Sequence, residues 1–358
     1  MKNEKGQPLV FFFLILLGMS SMTNAKNFVS KRALTSEKST AIAVFWQSVK
    51  SATFKSVDNI NIAYATNFKR PEKPYIIIVP GRTESYLKYQ ELMFDLDIQG
   101  YDSVIIDHRG QGLSMRLTIN QLQGHIVEFD HYAQDLQQLL SQVLPEKHPL
   151  HQRYSFMLAH SMGGAIALRY LQLYPNNVKA LSLSSPMIAI TTGGTPKWLA
   201  KSLINTGKII NNWLSADAPW YFFGQSDINK STFADNRLMH SELRFQRFQA
   251  LYQERPELAL GGVTFNWLAQ AISTSDKLFI DIKKLSLPIL LLQAGEEHII
   301  DNEAQNNFCQ QLNTLTPSSC PDGKPVIITG AYHELLFELD QYRDIAIDKS
   351  LSWFSQHQ

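Results

Sequence analysis

The sequence carries almost no excess charge. Its 33 lysines and arginines are balanced by 32 aspartates and glutamates, which leaves a formal charge of +1 at neutral pH. A chain with so little net charge produces no global field that would favour a nucleic acid or another polyanion. The chain also has no internal repeat and no low-complexity linker, so we interpret its mature part as one continuous globular unit. Nucleic-acid binding is not expected.

Signatures of metal and nucleotide binding are missing as well. His108, His125 and His131 lack the spacing that assembles a metal site, and we interpret them as structural residues. His160 is expected to be a buried, hydrogen-bonded ring. The sequence GRTES at residues 81–85 lacks the lysine and the spacing of a P-loop. We therefore predict an activity that needs no metal and no organic cofactor.

The N-terminal residues predict the compartment in which the protein folds. Lys2 and Lys5 precede an apolar run at residues 9–17, and small polar residues follow as far as Ala25. This is the layout of a secretory signal peptide at residues 1–25. We expect an exported protein, periplasmic or secreted. An uncleaved anchor that keeps the protein at a membrane is the alternative, although the run is short for a membrane span.

Cysteine is scarce, since the chain contains only Cys309 and Cys320. Export places a protein in oxidising surroundings, where paired cysteines persist as disulfides. We therefore predict a Cys309–Cys320 disulfide that closes a short loop, with two free thiols as the alternative.

The chain does contain an alternation of short apolar runs with helical patterns. The apolar runs lie at residues 75–79, 103–106, 154–158, 180–183, 289–293 and 326–328, and the helical patterns at 36–51, 86–98, 129–143 and 166–174. Residues 53–66 show β-type alternation around a turn signal at Asp58 and Asn59. Short apolar strands between helices predict an α/β fold with a mostly parallel central sheet and helices on both faces.

This alternation stops between residues 186 and 285. The segment is helical and aromatic in character and has no comparable strand pattern. We interpret residues 186–285 as a mainly helical cap, inserted into a core that is formed by residues 26–185 and 286–358.

The stretch LAHSMGGAIA at residues 158–167 places Ser161 between a predicted strand and a predicted helix. A nucleophilic serine in a nucleophile elbow occupies this position. The sharp turn of an elbow crowds the residues two before and two after the serine, and Ala159 and Gly163 are small enough for it. The alternative is an ordinary serine at the start of a helix.

A serine hydroxyl is a weak nucleophile at neutral pH, so it needs a base that a third group holds in the right tautomer. His333, in GAYHELL, follows the last predicted strand. The stretch LLLQAGEEHIID follows the strand before it and offers Glu296, Glu297 and Asp301. Counting from the strand end favours Glu297 as the acid and Asp301 as the second choice. Surface charges on a solvated loop are the alternative.

Hydrolysis of an ester also needs N–H donors for the oxyanion. Met162 follows the serine and offers one backbone N–H. In the stretch YIIIVPGRTESY, Gly81 allows a close turn, and the N–H of Arg82 is the expected second donor. The guanidinium of Arg82 would stand close by, where it could meet a phosphate or pair with Glu84.

Five stretches together resemble one family. PGRTESYLKYQEL, DHRGQGLS, LAHSMGGAIAL, LLLQAGEEHIIDN and GAYHELLFE occur in this order. They resemble bacterial lysophospholipases in the serine aminopeptidase-like, monoacylglycerol-lipase-related branch of the α/β-hydrolase superfamily. The resemblance implies an α/β-hydrolase fold with Ser161 as nucleophile, Glu297 as acid, His333 as base, and Arg82 and Met162 at the oxyanion.

The resemblance also implies the reaction. The expected enzyme is an exported serine hydrolase that releases a fatty acid from a lysophospholipid. A monoacylglycerol lipase, a short-chain carboxylesterase and an acyltransferase that uses the same acyl-enzyme are the alternatives, because fold and triad do not fix the leaving group.

Two parts of the cap segment bear on lipid binding. Residues 196–214 form an amphipathic pattern with no acidic residue, and Lys197, Lys201 and Lys208 lie on one side of it. Such a helix either makes transient contact with a membrane surface or packs its apolar face on the domain. The aromatic residues in APWYFFG, at 218–224, either line an acyl tunnel or fill the core of the cap.

Overall fold

The computed structural model describes residues 36–144, 153–191, 196–215, 218–227 and 232–358. The predicted signal peptide at residues 1–25 lies outside these ranges. The strands are β1 (Lys50–Lys55), β2 (Asn61–Asn67), β3 (Tyr75–Val79), β4 (Asp102–Ile106), β5 (Ser155–His160), β6 (Val178–Ser184), β7 (Ile289–Ala294) and β8 (Val326–Ile328). The helices are α1 (Ser36–Trp46), α2 (Gln90–Ile98), α3 (Asp130–Gln138), α4 (Met162–Leu173), α5 (Lys197–Leu214), α6 (Glu242–Glu254), α7 (Phe265–Ile280), α8 (Asn302–Leu315) and α9 (Asp340–Gln356).

The eight strands form one sheet in the order β1-β2-β4-β3-β5-β6-β7-β8. The pairs β1–β2 and β2–β4 are antiparallel, and all other neighbours are parallel. Every residue of β3, β4 and β5 is buried, as in parallel strands that are covered on both faces. The predicted α/β-hydrolase fold with a mostly parallel sheet is confirmed.

Helices supply the two apolar layers that cover the sheet. One layer packs α3, α4, α7 and α8 against one face. The other packs α1, α2, α6 and α9 against the opposite face. The first helix is shorter than its sequence pattern predicts, because the chain turns after Trp46 and Lys50 already pairs with Thr66 in the β1–β2 hairpin.

The segment at residues 186–285 lies between β6 and β7. Its described residues contain α5, α6 and α7 and no strand, although Tyr221 and Thr264 form an isolated bridge. The segment contacts the loops at the carboxyl edge of the sheet. The Tyr252 hydroxyl donates a hydrogen bond to the carbonyl of Thr83 at 3.0 Å. No helix in the part of the chain that the structure describes is long and apolar enough to span a bilayer.

A disulfide joins Cys309, in α8, to Cys320, in the segment before β8. Both cysteines are fully buried. The predicted pairing is therefore confirmed.

Candidate active site

Ser161 lies on a sharp turn between β5 and α4. Its backbone has φ 52° and ψ −122°, a conformation that non-glycine residues rarely adopt. A Cβ at Gly163 would lie 2.1 Å from the carbonyl oxygen of Val79, and a Cβ at Gly164 would lie 2.5 Å from the Cβ of Pro186. Both positions therefore need glycine. The turn has the geometry of a nucleophile elbow rather than that of an ordinary helix start.

His333 connects the serine to a carboxylate. Its Nε2 lies 2.9 Å from the Oγ of Ser161, and its Nδ1 lies 2.8 Å from the Oε2 of Glu297. An ionised carboxylate only accepts hydrogen bonds, so the ring proton belongs on Nδ1. In the neutral ring, Nε2 then carries no hydrogen and can accept the proton of the Ser161 hydroxyl.

Glu297 is held in its ionised form. Its Oε1 accepts hydrogen bonds from the main-chain N–H groups of His298, Ile299 and Ile300 at 3.0, 2.7 and 3.3 Å. Burial acts to raise the pKa of Glu297, but the hydrogen bond with His333 and those from the backbone outweigh it. The pKa of Glu297 therefore lies below its ordinary value.

The other two acidic residues of this loop lie elsewhere. Asp301 caps α8 and accepts hydrogen bonds from the N–H groups of Glu303 and Ala304 at 3.0 and 3.1 Å. Glu296 is exposed. Of the three acids that the sequence offered, the structure brings Glu297 to His333.

The two expected oxyanion donors lie at neighbouring loops. The main-chain N–H groups of Arg82 and Met162 have no hydrogen-bond acceptor among the described residues. The loop before Arg82 is fixed from both sides, because the side chain of Glu84 accepts the Gly81 N–H and the side-chain amide of Gln111 donates to the Gly81 carbonyl at 2.8 Å. Both N–H groups can therefore donate to a substrate oxygen.

A buried ion network below these loops was not foreseen from the sequence. The Lys88 ammonium lies 2.7 Å from a Glu84 oxygen and 2.8 Å from a Glu334 oxygen. Burial acts to raise the pKa of Glu84, but Lys88 outweighs it and holds the pKa at about 2. Glu84 is thus the partner of Lys88, and the expectation that it could pair with Arg82 is wrong. In the sequence, only the four-residue spacing of Glu84 and Lys88 indicates an ion pair, since Glu334 is distant in sequence.

Two other histidines near the site are structural. His160 is buried and donates from Nδ1 to the Ser184 carbonyl at 3.1 Å, and His108 donates from Nε2 to the Pro80 carbonyl at 3.0 Å. Burial lowers the pKa of each ring to about 4, so both are neutral at pH 7. No group of three or more metal-ligating side chains in the described ranges is arranged to hold an ion.

The site thus brings together a serine hydroxyl, an imidazole, a carboxylate hydrogen-bonded to that imidazole, and two backbone N–H groups, which is the set of groups that serine hydrolases use. The chain belongs to the family described as serine aminopeptidase, S33, whose family model matches residues 70–340. It is an ester hydrolase of the α/β-hydrolase superfamily.

Three relatives define the similarity further. Lysophospholipase L2 of Escherichia coli (strain K12) is 35% identical over 316 residues, which cover 87% of this chain and 89% of that protein. Monoglyceride lipase of Mus musculus is 25% identical over 79% of this chain and 82% of that protein. The crystal structure of a soluble variant of monoglyceride lipase from Saccharomyces cerevisiae has a TM-score of 0.65 at 16% identity, and the match covers 86% of this chain and 95% of that chain.

Proposed function

We propose that the protein hydrolyses the acyl ester of lysophospholipids and releases a fatty acid, with Ser161 as the nucleophile. One observation carries this proposal: the Ser161, His333 and Glu297 side chains are hydrogen-bonded in series, at 2.9 and 2.8 Å. The similarity to lysophospholipase L2, which extends over most of both chains, supports this choice of substrate.

In the first half of the reaction, the Ser161 oxygen attacks the ester carbonyl carbon while Nε2 of His333 takes the hydroxyl proton. The negative charge that develops on the carbonyl oxygen faces the N–H groups of Arg82 and Met162. When the tetrahedral intermediate collapses, the bond to the alcohol oxygen breaks, and Nε2 delivers its proton to that oxygen. The glycerophosphate part of the substrate leaves, and the acyl group stays on Ser161.

In the second half, a water molecule gives a proton to Nε2 of His333 and attacks the acyl-enzyme. The fatty acid leaves, and the proton returns to the Ser161 oxygen. Glu297 remains ionised throughout and stabilises the imidazolium that forms twice in the cycle. An alcohol in place of the water would make the reaction an acyl transfer.

The cap segment at residues 186–285 is proposed to cover the acyl chain and to touch the membrane. Helix α5 packs on α7 through Ile204 and through Gly207, where a Cβ would lie 2.3 Å from Phe265. Its Trp198 and Trp213 side chains are 72% and 83% exposed. The helix has no acidic residue, so its exposed apolar side suits a phospholipid surface.

Export is also proposed. The signal-peptide pattern at residues 1–25 supports it, and so does the disulfide between Cys309 and Cys320, because disulfides persist in oxidising compartments. Cell fractionation tests this: export predicts the protein in the periplasm or the medium, shortened after Ala25. A full-length protein in the cytoplasm would contradict it.

The test of the reaction is fatty-acid release from 1-palmitoyl-lysophosphatidylethanolamine, measured beside a p-nitrophenyl ester with a short acyl chain. We expect Ser161→Ala to lose at least a thousandfold in kcat on both esters. The exposed Ser355→Ala is the matched control and should behave as the wild type. Turnover of the short ester alone would make the protein a small-substrate carboxylesterase, and release that survives Ser161→Ala would contradict the proposed mechanism.

A further inference from the structure

The Arg82 guanidinium has no carboxylate partner among the described residues. Two arginines that are more deeply buried do have one: Arg109 pairs with Asp135, and Arg244 pairs with Glu91. In contrast, Nη2 of Arg82 donates to the carbonyl of Gly261, and its Nε is buried without a hydrogen-bond partner in the described ranges. This side chain therefore brings a positive charge to the site without a compensating negative one.

The surroundings of the guanidinium are tightly packed. Its Cζ lies 5.5 Å from the centroid of the Trp267 ring. A Cβ at Gly124 would lie 2.7 Å from Nη2, so a larger residue there would collide with the guanidinium. Burial lowers the pKa of Arg82 to about 10, while nearby Tyr132 and Tyr221 act in the opposite direction. The group is still charged at pH 7, and a largely desolvated charge without a counter-ion is unfavourable.

Arg82 lies beside the reacting atoms. A Cβ at Gly163, two residues after Ser161, would lie 2.4 Å from the Pro80 carbonyl oxygen, so the Arg82 loop packs directly on the elbow. The backbone N–H of Arg82 is an expected oxyanion donor, and its side chain extends from there to the cap segment at Gly261. Arg82 itself remains partly accessible to solvent. When the ester carbonyl of a substrate lies at Ser161, the guanidinium of Arg82 is therefore no farther from the carbonyl oxygen than the length of the Arg82 side chain.

The chemistry of a lysophospholipid matches this reach. In a 1-acyl lysophospholipid, a certain number of covalent bonds separates the phosphorus from the acyl carbonyl carbon. The same number of bonds separates the Cζ of an arginine from its backbone nitrogen. The phosphodiester is an anion, and guanidinium groups bind phosphate oxygens with paired N–H donors.

We propose that the Arg82 guanidinium binds the phosphodiester of the substrate while the acyl carbonyl lies at Ser161, and that it selects phosphate-bearing monoacyl esters over neutral monoacylglycerols. The inference rests on the proposed lysophospholipase function. It adds a head-group subsite on the leaving-group side of the ester.

The test compares two esters with the same acyl chain, 1-palmitoyl-lysophosphatidylglycerol and 1-palmitoylglycerol, in the same mixed detergent micelles. The quantity is the ratio of kcat/KM for the first ester to kcat/KM for the second. We expect Arg82→Gln to lower this ratio about tenfold or more, and Arg82→Lys to lower it less, because charge-assisted hydrogen bonds to phosphate are lost or reduced.

Arg116→Gln is the matched control. Arg116 also donates to carbonyls of the cap segment, those of Glu257 and Ala259, and it likewise lacks a carboxylate partner in the described ranges. The Arg116→Gln substitution removes the same charge at a loop that the proposal does not involve. The ratio of the two kcat/KM values in this variant should therefore equal that of the wild type. A fall of the ratio in Arg116→Gln as large as in Arg82→Gln would show a general charge effect and overturn the proposal.

Further outcomes separate this proposal from the proposed function. Equal losses on both esters in Arg82→Gln would overturn the head-group subsite and leave a Ser161-dependent lysophospholipase intact. A wild type that releases no fatty acid from the lysophospholipid would overturn both. Inorganic phosphate at constant ionic strength should compete with the lysophospholipid in the wild type and not in Arg82→Gln. Equal inhibition of 1-palmitoylglycerol hydrolysis by phosphate in both proteins would place the phosphate elsewhere and contradict the role of Arg82.

Discussion

Glu297 shows how single contacts set both position and charge. Three successive N–H groups bind one of its oxygens, and His333 binds the other. Each of these contacts favours the ionised carboxylate, which is the form that keeps the ring proton on Nδ1. In the proposed mechanism, Glu297 therefore acts on Ser161 through His333 and needs no contact with the substrate.

Replacing this carboxylate tests its role. Glu297→Gln keeps the size of the side chain but presents an amide, which no longer fixes the tautomer or stabilises the imidazolium. We expect kcat for the lysophospholipid to fall about a thousandfold, with KM changing by less than about threefold. Steady-state kinetics at pH 7.5 would measure both. Asp301→Asn is the control on the same loop and should keep kcat within about threefold, since Asp301 caps α8. A similar fall of kcat in both variants would contradict the assignment.

His108 links a buried ring to acid sensitivity. The folded protein keeps this ring neutral down to a pKa of about 4 because it is buried, whereas the unfolded chain takes up a proton below about pH 6.5. A fall in pH therefore favours the unfolded chain, and the stability lost in acid is fully present at higher pH.

We predict that the free energy of unfolding of the wild type falls by about 2 kcal/mol relative to His108→Gln between pH 7 and pH 5. The glutamine can still donate to the Pro80 carbonyl and does not titrate. Urea denaturation of both proteins at the two pH values measures the difference between their free energies of unfolding. The contributions of the other titrating groups are the same in both proteins and cancel in this difference. An unchanged difference between the two proteins would show that His108 is protonated in the folded state as easily as in the unfolded one.

The residues that could be predicted from the sequence are those with a local signature. Ser161 lies in a glycine-rich turn directly after a predicted strand. Glu297 and His333 each lie in the loop that follows a later predicted strand. Lys88 and the side-chain environment of Arg82 could not be predicted, because their partners Glu334 and Gly261 are distant in sequence. Such contacts depend on how the loops and the cap segment pack, and this packing cannot be predicted from the spacing of residues in the sequence.

At the scale of elements, α5 shows that periodicity predicts an amphipathic helix but not which surface its apolar side contacts. Its apolar and basic sides were clear from the sequence, yet the same pattern fits a helix that packs its apolar side on the domain and a helix that presents it to a lipid surface. In the structure Ile204 and Asn211 of α5 are buried, whereas Trp198 and Trp213 are exposed, which supports the proposed contact with a lipid surface. In contrast, β3 to β8 were predictable because mostly apolar runs of three to five residues between helical patterns are typical of parallel strands.

The exposed tryptophans of α5 give a direct prediction. We expect the double variant Trp198→Gln/Trp213→Gln to bind vesicles of anionic phosphatidylglycerol at least tenfold more weakly than the wild type, since each indole loses a favourable transfer into the interface. Sedimentation with the vesicles measures the bound fraction. Ile119→Gln, at a residue that is 90% exposed outside α5, is the control and should bind like the wild type. Equal binding of the double variant and the wild type would exclude α5 as the contact surface.

At the scale of the whole molecule, the parallel sheet explains why distant residues form one site. The strands β3, β5, β7 and β8 all end at the same edge, and the loops that follow them carry Arg82, Ser161, Glu297 and His333 in chain order. Ser161 and His333 are separated by 172 residues and are nevertheless in hydrogen-bond contact. The order serine, acid, histidine could be predicted from the sequence, whereas the contacts of the segment at residues 186–285 with the site loops could not.

The central claim is that one serine, activated by this arrangement, cleaves lysophospholipids. The most direct measurement is the lysophospholipase activity that remains as an alkyl fluorophosphonate modifies the protein, with peptide mass spectrometry locating the adduct. We predict one adduct on the peptide that contains Ser161, activity that falls in proportion to the modified fraction, and no adduct in His333→Ala. Lysophospholipase activity that persists after complete modification of Ser161, or inactivation through an adduct on another residue, would contradict the account.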